Sequence, residues 1–243
     1  MARGQDAPLH FRGTPLALSA LLPPGEGDGA RLVAHPVAIP YGTSAFVHQP
    51  VMSAMDTGIG QVVRFHLPRH TPPGRYEGTA EVDGKERAVV YEVEPEAFLR
   101  LVPERLVLQA AAGARVTREL TLLNLGNTGV DVRGAYVLGL YDVEGVERAV
   151  ARTFGDEQGE VAGAADRLVG RLAEEHGGMV RIKVDEGSGL VRPGESRALS
   201  IVLALPDRLQ PGHTYWGTWS LEYLQYYVRI HVTREGANKE KSR

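Results

Sequence analysis

The sequence predicts an all-β protein built from two tandem β-sandwiches. The main observation is a phrase that occurs twice, at 67–79 and again at 205–218: Leu-Pro, four residues, Pro-Gly, and shortly afterwards Tyr-x-Gly-Thr, with one extra residue before the tyrosine in the second copy. Each copy follows a run of alternating apolar residues, and similar short runs recur along the chain with turn-forming residues between them. This spacing is typical of sandwiches, and two copies of one phrase indicate two of them.

The first sandwich is predicted at residues 1–97, and its first residues, 1–12, are interpreted as a loose arm. Asp83-Gly84 is a strong signal for a two-residue hairpin between its last two strands. The strands of this unit are expected at 14–22, 31–39, 45–52, 61–67, 76–82 and 87–93.

The second sandwich is predicted at 98–234, followed by a disordered tail at 235–243. An insertion at about 142–178 interrupts it. Between Glu160 and His176 the apolar residues recur at helical spacing, which predicts one inserted helix. The strands of this unit are expected at 106–109, 116–123, 131–140, 180–184, 196–205, 213–221 and 226–232.

The repeated phrase has a structural explanation. Its first proline ends a strand because proline cannot donate to the hydrogen-bond ladder, and the Pro-Gly pair then allows the chain to reverse. The tyrosine that follows, Tyr76 or Tyr215, is expected to bury its ring and to reach backbone with its hydroxyl, as in the tyrosine corner of known sandwiches. Gly78 and Gly217 are expected where close packing of strands excludes a side chain.

Several motifs of the second unit carry a family resemblance. They are Gly113 through Thr121 to Asn124, then Gly126 and Asn127-Thr-Gly129, later Pro193-Gly-Glu-Ser196, and finally an apolar strand from Ile201 that leads through a Pro-Gly turn and a tyrosine to Gly217. In these motifs the unit resembles the bacterial Ig-like domains of the NEW3 and MSP/ASH groups, whose pattern lacks the insertion. The resemblance implies an Ig-like β-sandwich, and a role in adhesion, assembly or ligand contact rather than in catalysis.

Composition argues against several classes of function. The net charge of −3 gives no electrostatic basis for binding nucleic acid. The chain has no cysteine, which excludes disulfides, thiolate catalysis and Cys-ligated zinc. No apolar stretch approaches the ~18 residues of a membrane span, and the short apolar run at 15–22 is interpreted as a strand, so a cytoplasmic location is expected. Neither a cofactor nor a metal site is predicted.

The closing hairpin carries the candidate binding residues. Six of the sixteen aromatic residues fall between Tyr215 and Tyr227. Strand alternation sends Trp216, Tyr227, Arg229 and His231 to one face, opposite the side chains that look core-facing. Either the insertion or the first sandwich covers this face, or the face binds a protein or stacks on a sugar ring.

The inserted helix presents an apolar stripe that includes Leu168 and Leu172. Such a stripe must pack on something. The alternatives are its own sandwich and a neighbouring subunit.

Only one short motif suggests catalysis. Asp56-Thr57-Gly58 matches the motif of aspartic proteases, which need two such carboxylates, but the triplet occurs once and is also a common turn. The leading prediction is therefore a non-enzymatic structural or adaptor protein that contacts protein partners or further copies of itself within a larger assembly. The alternatives are a carbohydrate-binding module that uses the hairpin aromatics, and an aspartic-type hydrolase acting through Asp56.

Overall fold

The computed structural model of the protein describes residues 7–22, 32–35, 37–41, 44–48, 51–56, 61–82, 84–155 and 163–234. For residues 22, 32, 40–41, 44–48, 51–56 and 61 it describes the backbone alone. The predicted tail at 235–243 lies outside these residues.

The chain divides into two compact units. The first comprises Met1–Phe98 together with two later loops, Asn124–Gly129 and Arg192–Glu195, and the second comprises the rest. Strands dominate both units, so the prediction of an all-β protein with two sandwiches is confirmed.

The described part of the first unit consists of strands without helices. Its strands are β1 (Leu9–Gly13), β2 (Leu18–Leu22), β3 (Leu32–Ala34), β4 (Val37–Tyr41), β5 (Ser44–His48), β6 (Val51–Asp56), β7 (Gln61–His66), β8 (Gly74–Val82) and β9 (Lys85–Val93). The arm predicted at 1–12 is thus partly wrong, because its end forms β1, which pairs in parallel with β9.

The strand order of this unit is that of an Ig-like sandwich. Seven strands lie in the order β3-β8-β9-β1-β2-β7-β6, and β4 pairs with β5. The triplets β3-β8-β9 and β2-β7-β6 correspond to the C-F-G and B-E-D strands of that fold, joined through β1. The rings of Phe11, Phe65 and Tyr91 form the centre of its core, with centroids 4.2–5.8 Å apart.

The second unit contains ten strands among the described residues and two helices. They are β10 (Leu99–Val102), β11 (Arg105–Ala110), β12 (Arg115–Asn124), β13 (Val130–Val132), β14 (Ala135–Asp142), α1 (Gly145–Gly155), α2 (Ala164–Glu174), β15 (His176–Glu186), β16 (Gly189–Val191), β17 (Ser196–Ala204), β18 (Thr214–Leu221) and β19 (Leu224–Val232).

The second unit repeats the Ig-like strand order. Its eight-stranded sheet runs β10-β12-β17-β15-β14-β18-β19-β11, and β13 pairs with β16. The first four correspond to the A-B-E-D strands and β14-β18-β19 to C-F-G, with β11 added in parallel to β19. The fully buried Trp219 marks the centre of the core, edge-on to Tyr136 and Tyr226.

Both copies of the repeated phrase form a tyrosine corner between corresponding strands. The Tyr76 hydroxyl donates to the Pro72 carbonyl at 2.7 Å, and the Gln210 amide donates to the Tyr215 hydroxyl at 3.3 Å. Both rings are buried. The structural interpretation of the phrase, a ring anchored in the core and a hydroxyl bonded to backbone upstream, therefore holds in each unit.

The asparagines Asn124 and Asn127 are buried and bonded to backbone. The Asn124 side chain accepts from the Gly126 amide and donates to the Thr128 carbonyl. The Asn127 side chain accepts from the Glu96 amide at 2.6 Å and donates to the Glu94 carbonyl at 3.0 Å. Both side-chain amides are satisfied within the fold, as buried polar groups need to be.

The insertion contains two helices rather than the single predicted one. The predicted helix corresponds to α2, which ends at Glu174 and is followed closely by β15. The sequence reasoning missed α1. Each described helix has only eleven residues, and neither is long and apolar enough to cross a membrane.

Candidate functional site

An exposed row of aromatic rings crosses three neighbouring strands of the second unit. Trp216 on β18 lies between Tyr141 on β14 and Tyr227 on β19. The Trp216 and Tyr227 rings stack at 5.9 Å with an interplanar angle of 17°, and the Tyr141 ring lies 5.6 Å from Trp216 at 38°. We call these three residues the aromatic ridge.

The ridge faces away from the core. Tyr215, Gly217, Trp219 and Leu221 are buried, while the intervening side chains of β18 point outward, as strand alternation predicts. Trp216 is 37% exposed, Tyr227 41% and Tyr141 50%. The sequence left two alternatives open, a covered face and an accessible one. In the described structure these three rings are accessible.

A cleft of about 360 Å³ adjoins the ridge on the same face. Its walls come from three strands and consist of Arg105, Val107, Thr214, Tyr227, Arg229 and His231. Strand register explains the grouping, because Arg105 pairs with Tyr227 and Val107 with Arg229. The Thr214 hydroxyl and the Nδ1 atom of His231 hydrogen-bond at 3.1 Å. We call these six residues the cation-lined cleft.

The cleft is electrostatically one-sided. The outward-facing positions of β11, β18 and β19 carry Arg105, Arg229 and His231 and no Asp or Glu. Within the described ranges, neither of these two arginines forms an ion pair. The positive character is local, since the whole chain carries a net charge of −3.

The other predicted site residues, Leu168 and Leu172, lie on α2 in the insertion rather than on the sheet. Leu168 is half-buried, and Leu172 and Val169 are exposed. On α1 the exposed apolar residues Val146, Val150 and Phe154 recur every four residues, which places them on one side of the helix. The insertion thus leaves apolar side chains of both helices uncovered.

Charged contacts attach α1 to the sandwich. Arg148 lies 2.6 Å from the buried Asp142 carboxylate and 2.8 Å from that of Glu175, and His213 Nδ1 lies 2.6 Å from Asp142. Burial opposes the ionisation of Asp142, but hydrogen bonds, first of all the one from His213, outweigh it and lower the pKa of this carboxyl. The carboxylate therefore remains ionised and paired at neutral pH.

His213 belongs to the same charged cluster. It hydrogen-bonds to the Asp142 carboxylate and to the Arg148 guanidinium, which are themselves paired with each other. This geometry explains how the insertion is held.

Most of the Asp56-Thr57-Gly58 motif, on which the hydrolase alternative depends, lies outside the described residues. Asp56 ends β6 and pairs with Gln61 on β7, but only its backbone is described, and Thr57 and Gly58 lie outside the described ranges. Catalysis by Asp56 therefore stays a prediction. Among the described side chains, no group of three or more His, Cys, Asp or Glu is placed to hold a metal ion.

Sequence reasoning identified Trp216, Tyr227, Arg229 and His231 but missed the residues that complete their surface. Tyr141 joins the ridge because β14 pairs with β18, and Arg105 and Val107 join the cleft because β11 pairs with β19. Alternation along β14 would have turned Tyr141 outward. That Tyr141 lies beside Trp216 depends on the pairing of β14 with β18, which are far apart in the sequence.

No family model matches the chain, and no curated protein matches it. An I-band fragment of titin is similar at 12% identity and a TM-score of 0.33, over 93% of this chain and 62% of that fragment. A protein of unknown function from Porphyromonas gingivalis matches at 12% identity and a TM-score of 0.29, over 93% of this chain and 96% of that one.

An endo-fucoidan hydrolase from glycoside hydrolase family 107 matches at 10% identity and a TM-score of 0.28, over 96% of this chain and 30% of that one. The chain thus spans 62% of the length of the titin fragment and a smaller share of the hydrolase. With TM-scores this low, these likenesses carry no argument about function. The Ig-like assignment rests on the strand order and the two tyrosine corners.

Proposed function

We propose that the protein is a non-enzymatic adaptor whose second sandwich binds a protein partner through the aromatic ridge. The observation that carries the proposal is the row of three neighbouring rings, each more than a third exposed, on a sheet face that contributes nothing to the core. Rigid aromatic side chains bury much surface at little entropic cost, and Trp and Tyr dominate the energetic centres of protein interfaces. The resemblance to the NEW3 and MSP/ASH groups, which implies a role in contact or assembly, supports the same function.

The ring geometry favours a protein over a sugar. A sugar stacks on the free face of an aromatic ring. Trp216 has a neighbouring ring on each side. Tyr227 on β19 stacks on it, and Tyr141 on β14 lies tilted against it on the other side. Aromatic neighbours on both sides leave less of the Trp216 ring free for a stacked sugar. The carbohydrate-binding module remains the alternative that the experiment below must distinguish.

The insertion supplies a second surface for assembly. The exposed apolar residues Val146, Val150 and Phe154 of α1, with Val169 and Leu172 of α2, would lose accessible apolar area if another subunit packed there. In this proposal the ridge selects the partner and the helices join the adaptor to a larger assembly.

Replacing Trp216 by alanine should release the partner. We expect binding to weaken by about 2 kcal/mol or more, about 30-fold, because Trp216 is the central ring of the ridge. The measurement is affinity capture from the native host followed by mass spectrometry, with wild type and Trp216→Ala as baits. Tyr223→Ala is the matched control, since Tyr223 is an aromatic residue of the same hairpin that is 79% exposed but lies at its turn.

The proposal predicts a protein that is recovered with wild type and Tyr223→Ala and is lost with Trp216→Ala. Recovery of the same proteins with all three baits would contradict it. A glycan array provides the competing outcome: sugar binding that Trp216→Ala abolishes, without a captured protein, would establish the carbohydrate alternative instead.

A further inference from the structure

The cation-lined cleft lies beside β11, the strand at one edge of the eight-stranded sheet. This position suggests what binds there. Resting on the proposed function, we propose that the partner contributes an acidic, extended segment that pairs along the outer edge of β11 and places its carboxylates in the cleft. This assigns a chemistry and a binding mode to the partner.

The edge of β11 has the features of a strand that can accept another. β11 is the last strand in the order of the eight-stranded sheet, and in the described structure it pairs with β19 alone. Its six residues alternate regularly, with Leu106, Leu108 and Ala110 buried and the others exposed. A regular edge strand presents a row of backbone donors and acceptors to any extended segment that arrives.

The positive charge on the outward face of β11 and β19 favours binding of an acidic segment. Arg105 and Arg229 lie in the cleft walls, and the described structure gives neither a carboxylate partner. Guanidinium groups bind carboxylates through two parallel hydrogen bonds, which gives geometric selectivity as well as affinity. A basic segment would meet like charge here, because no outward-facing Asp or Glu lies on β11, β18 or β19.

Strand geometry predicts how such a segment would lie. Alternate side chains of an added strand point to the same face as Arg105, Val107 and Gln109. A carboxylate opposite Arg105 would meet that guanidinium directly, as cross-strand pairs do. Val107 is short and is 60% exposed, and it pairs with Arg229, so the next outward carboxylate can extend over Val107 toward Arg229. The segment should therefore carry acidic residues at every second position.

The inference can be tested with peptides before the native partner is known. A library of random twelve-residue peptides displayed on phage is selected against the full chain. We expect the enriched peptides to be acidic, with Asp or Glu at alternate positions. The synthetic form of the most enriched peptide should bind Arg229→Glu and Arg105→Glu about 10- to 100-fold more weakly than wild type, the range expected for losing a charge-assisted hydrogen bond.

The matched control is Arg64→Glu, the same charge reversal at an exposed position on β7 of the first unit. It should leave peptide affinity within about twofold of wild type, since it lies outside the cleft. Thermal melts of all three variants establish that they are folded. Binding should weaken with added salt. The bound peptide should slow hydrogen exchange of alternate amides in β11 without protecting β16, which belongs to the separate two-stranded sheet.

Several results would overturn the inference. They are the absence of enriched peptides, enrichment without acidic residues, equal affinity for Arg229→Glu and wild type, or preferential binding of a twelve-nucleotide single-stranded DNA at the same cleft.

The proposed function is judged separately with the captured native partner. If Trp216→Ala weakens that partner and the arginine reversals do not, the adaptor function stands and the acidic segment is rejected. If none of the variants weakens it, both proposals fail.

Discussion

Replacing Trp219 by alanine is expected to lower the free energy of unfolding of the second unit by about 3–5 kcal/mol, the usual cost of truncating a buried Trp. Trp219 is fully buried and packs edge-on against Tyr136 at 5.3 Å and Tyr226 at 6.0 Å. These rings come from β14, β18 and β19, so the cavity would open at the centre of the core. Chemical denaturation followed by circular dichroism measures the loss.

Trp219→Phe is the informative control. The indole N–H of Trp219 is buried and finds no acceptor within the described part of the chain, so phenylalanine loses ring volume but no hydrogen bond. Its cost should be well below that of alanine. Equal destabilisation by both substitutions would show that the packing described around Trp219 is wrong.

Gly217→Ala is the second large effect that we expect. A Cβ atom at this position would meet the carbonyl oxygen of Gly139 and lie 2.6 Å from Leu138 Cδ1. Because backbone of β14 is among the atoms in the way, the two strands must separate. We expect a loss of about 1–3 kcal/mol in the free energy of unfolding, the range for overpacked cores, or more if β14 separates from β18.

Two other glycines calibrate this prediction. Gly78 holds the corresponding position of the first copy of the phrase, but there the nearest atom is a side-chain carbon of Val37 at 3.0 Å, which can shift more easily than backbone. Gly78→Ala should therefore cost less than Gly217→Ala. A Cβ atom at Gly134 would meet no described atom within 4 Å, so Gly134→Ala should change stability little. Denaturation midpoints that rank the three substitutions differently would contradict the close approach at Gly217.

Much of the fold follows from local patterns in the sequence. The repeated phrase identified both corners, because Pro, Gly and Tyr act there through local backbone geometry and one short-range hydrogen bond. Alternation in the last hairpin correctly assigned Trp216 to the outward face of β18, since Tyr215, Gly217, Trp219 and Leu221 are all buried. These inferences needed only the nearest neighbours along the chain.

The parts that were missed depend on distant segments. Helix α1 buries only small residues, Gly145, Ala149 and Thr153, and leaves its larger apolar residues exposed, so its core-facing pattern is weak. Its attachment depends on Arg148, which contacts Asp142 nearby in the sequence and Glu175 further along the chain. Tyr141 and Arg105 likewise join the candidate site through pairings of distant strands, which no local sequence pattern predicts.

The central claim is that the outward face of β14, β18, β19 and β11 binds a protein. The most direct test places a photo-crosslinking amino acid at Val107, in the cation-lined cleft, and separately at Leu190 on β16. The two positions are matched, since Val107 is 60% exposed and Leu190 58%. Irradiation in the native host should give a discrete crosslinked protein from position 107 and none from position 190. No product from position 107, or the same products from both, would contradict the account.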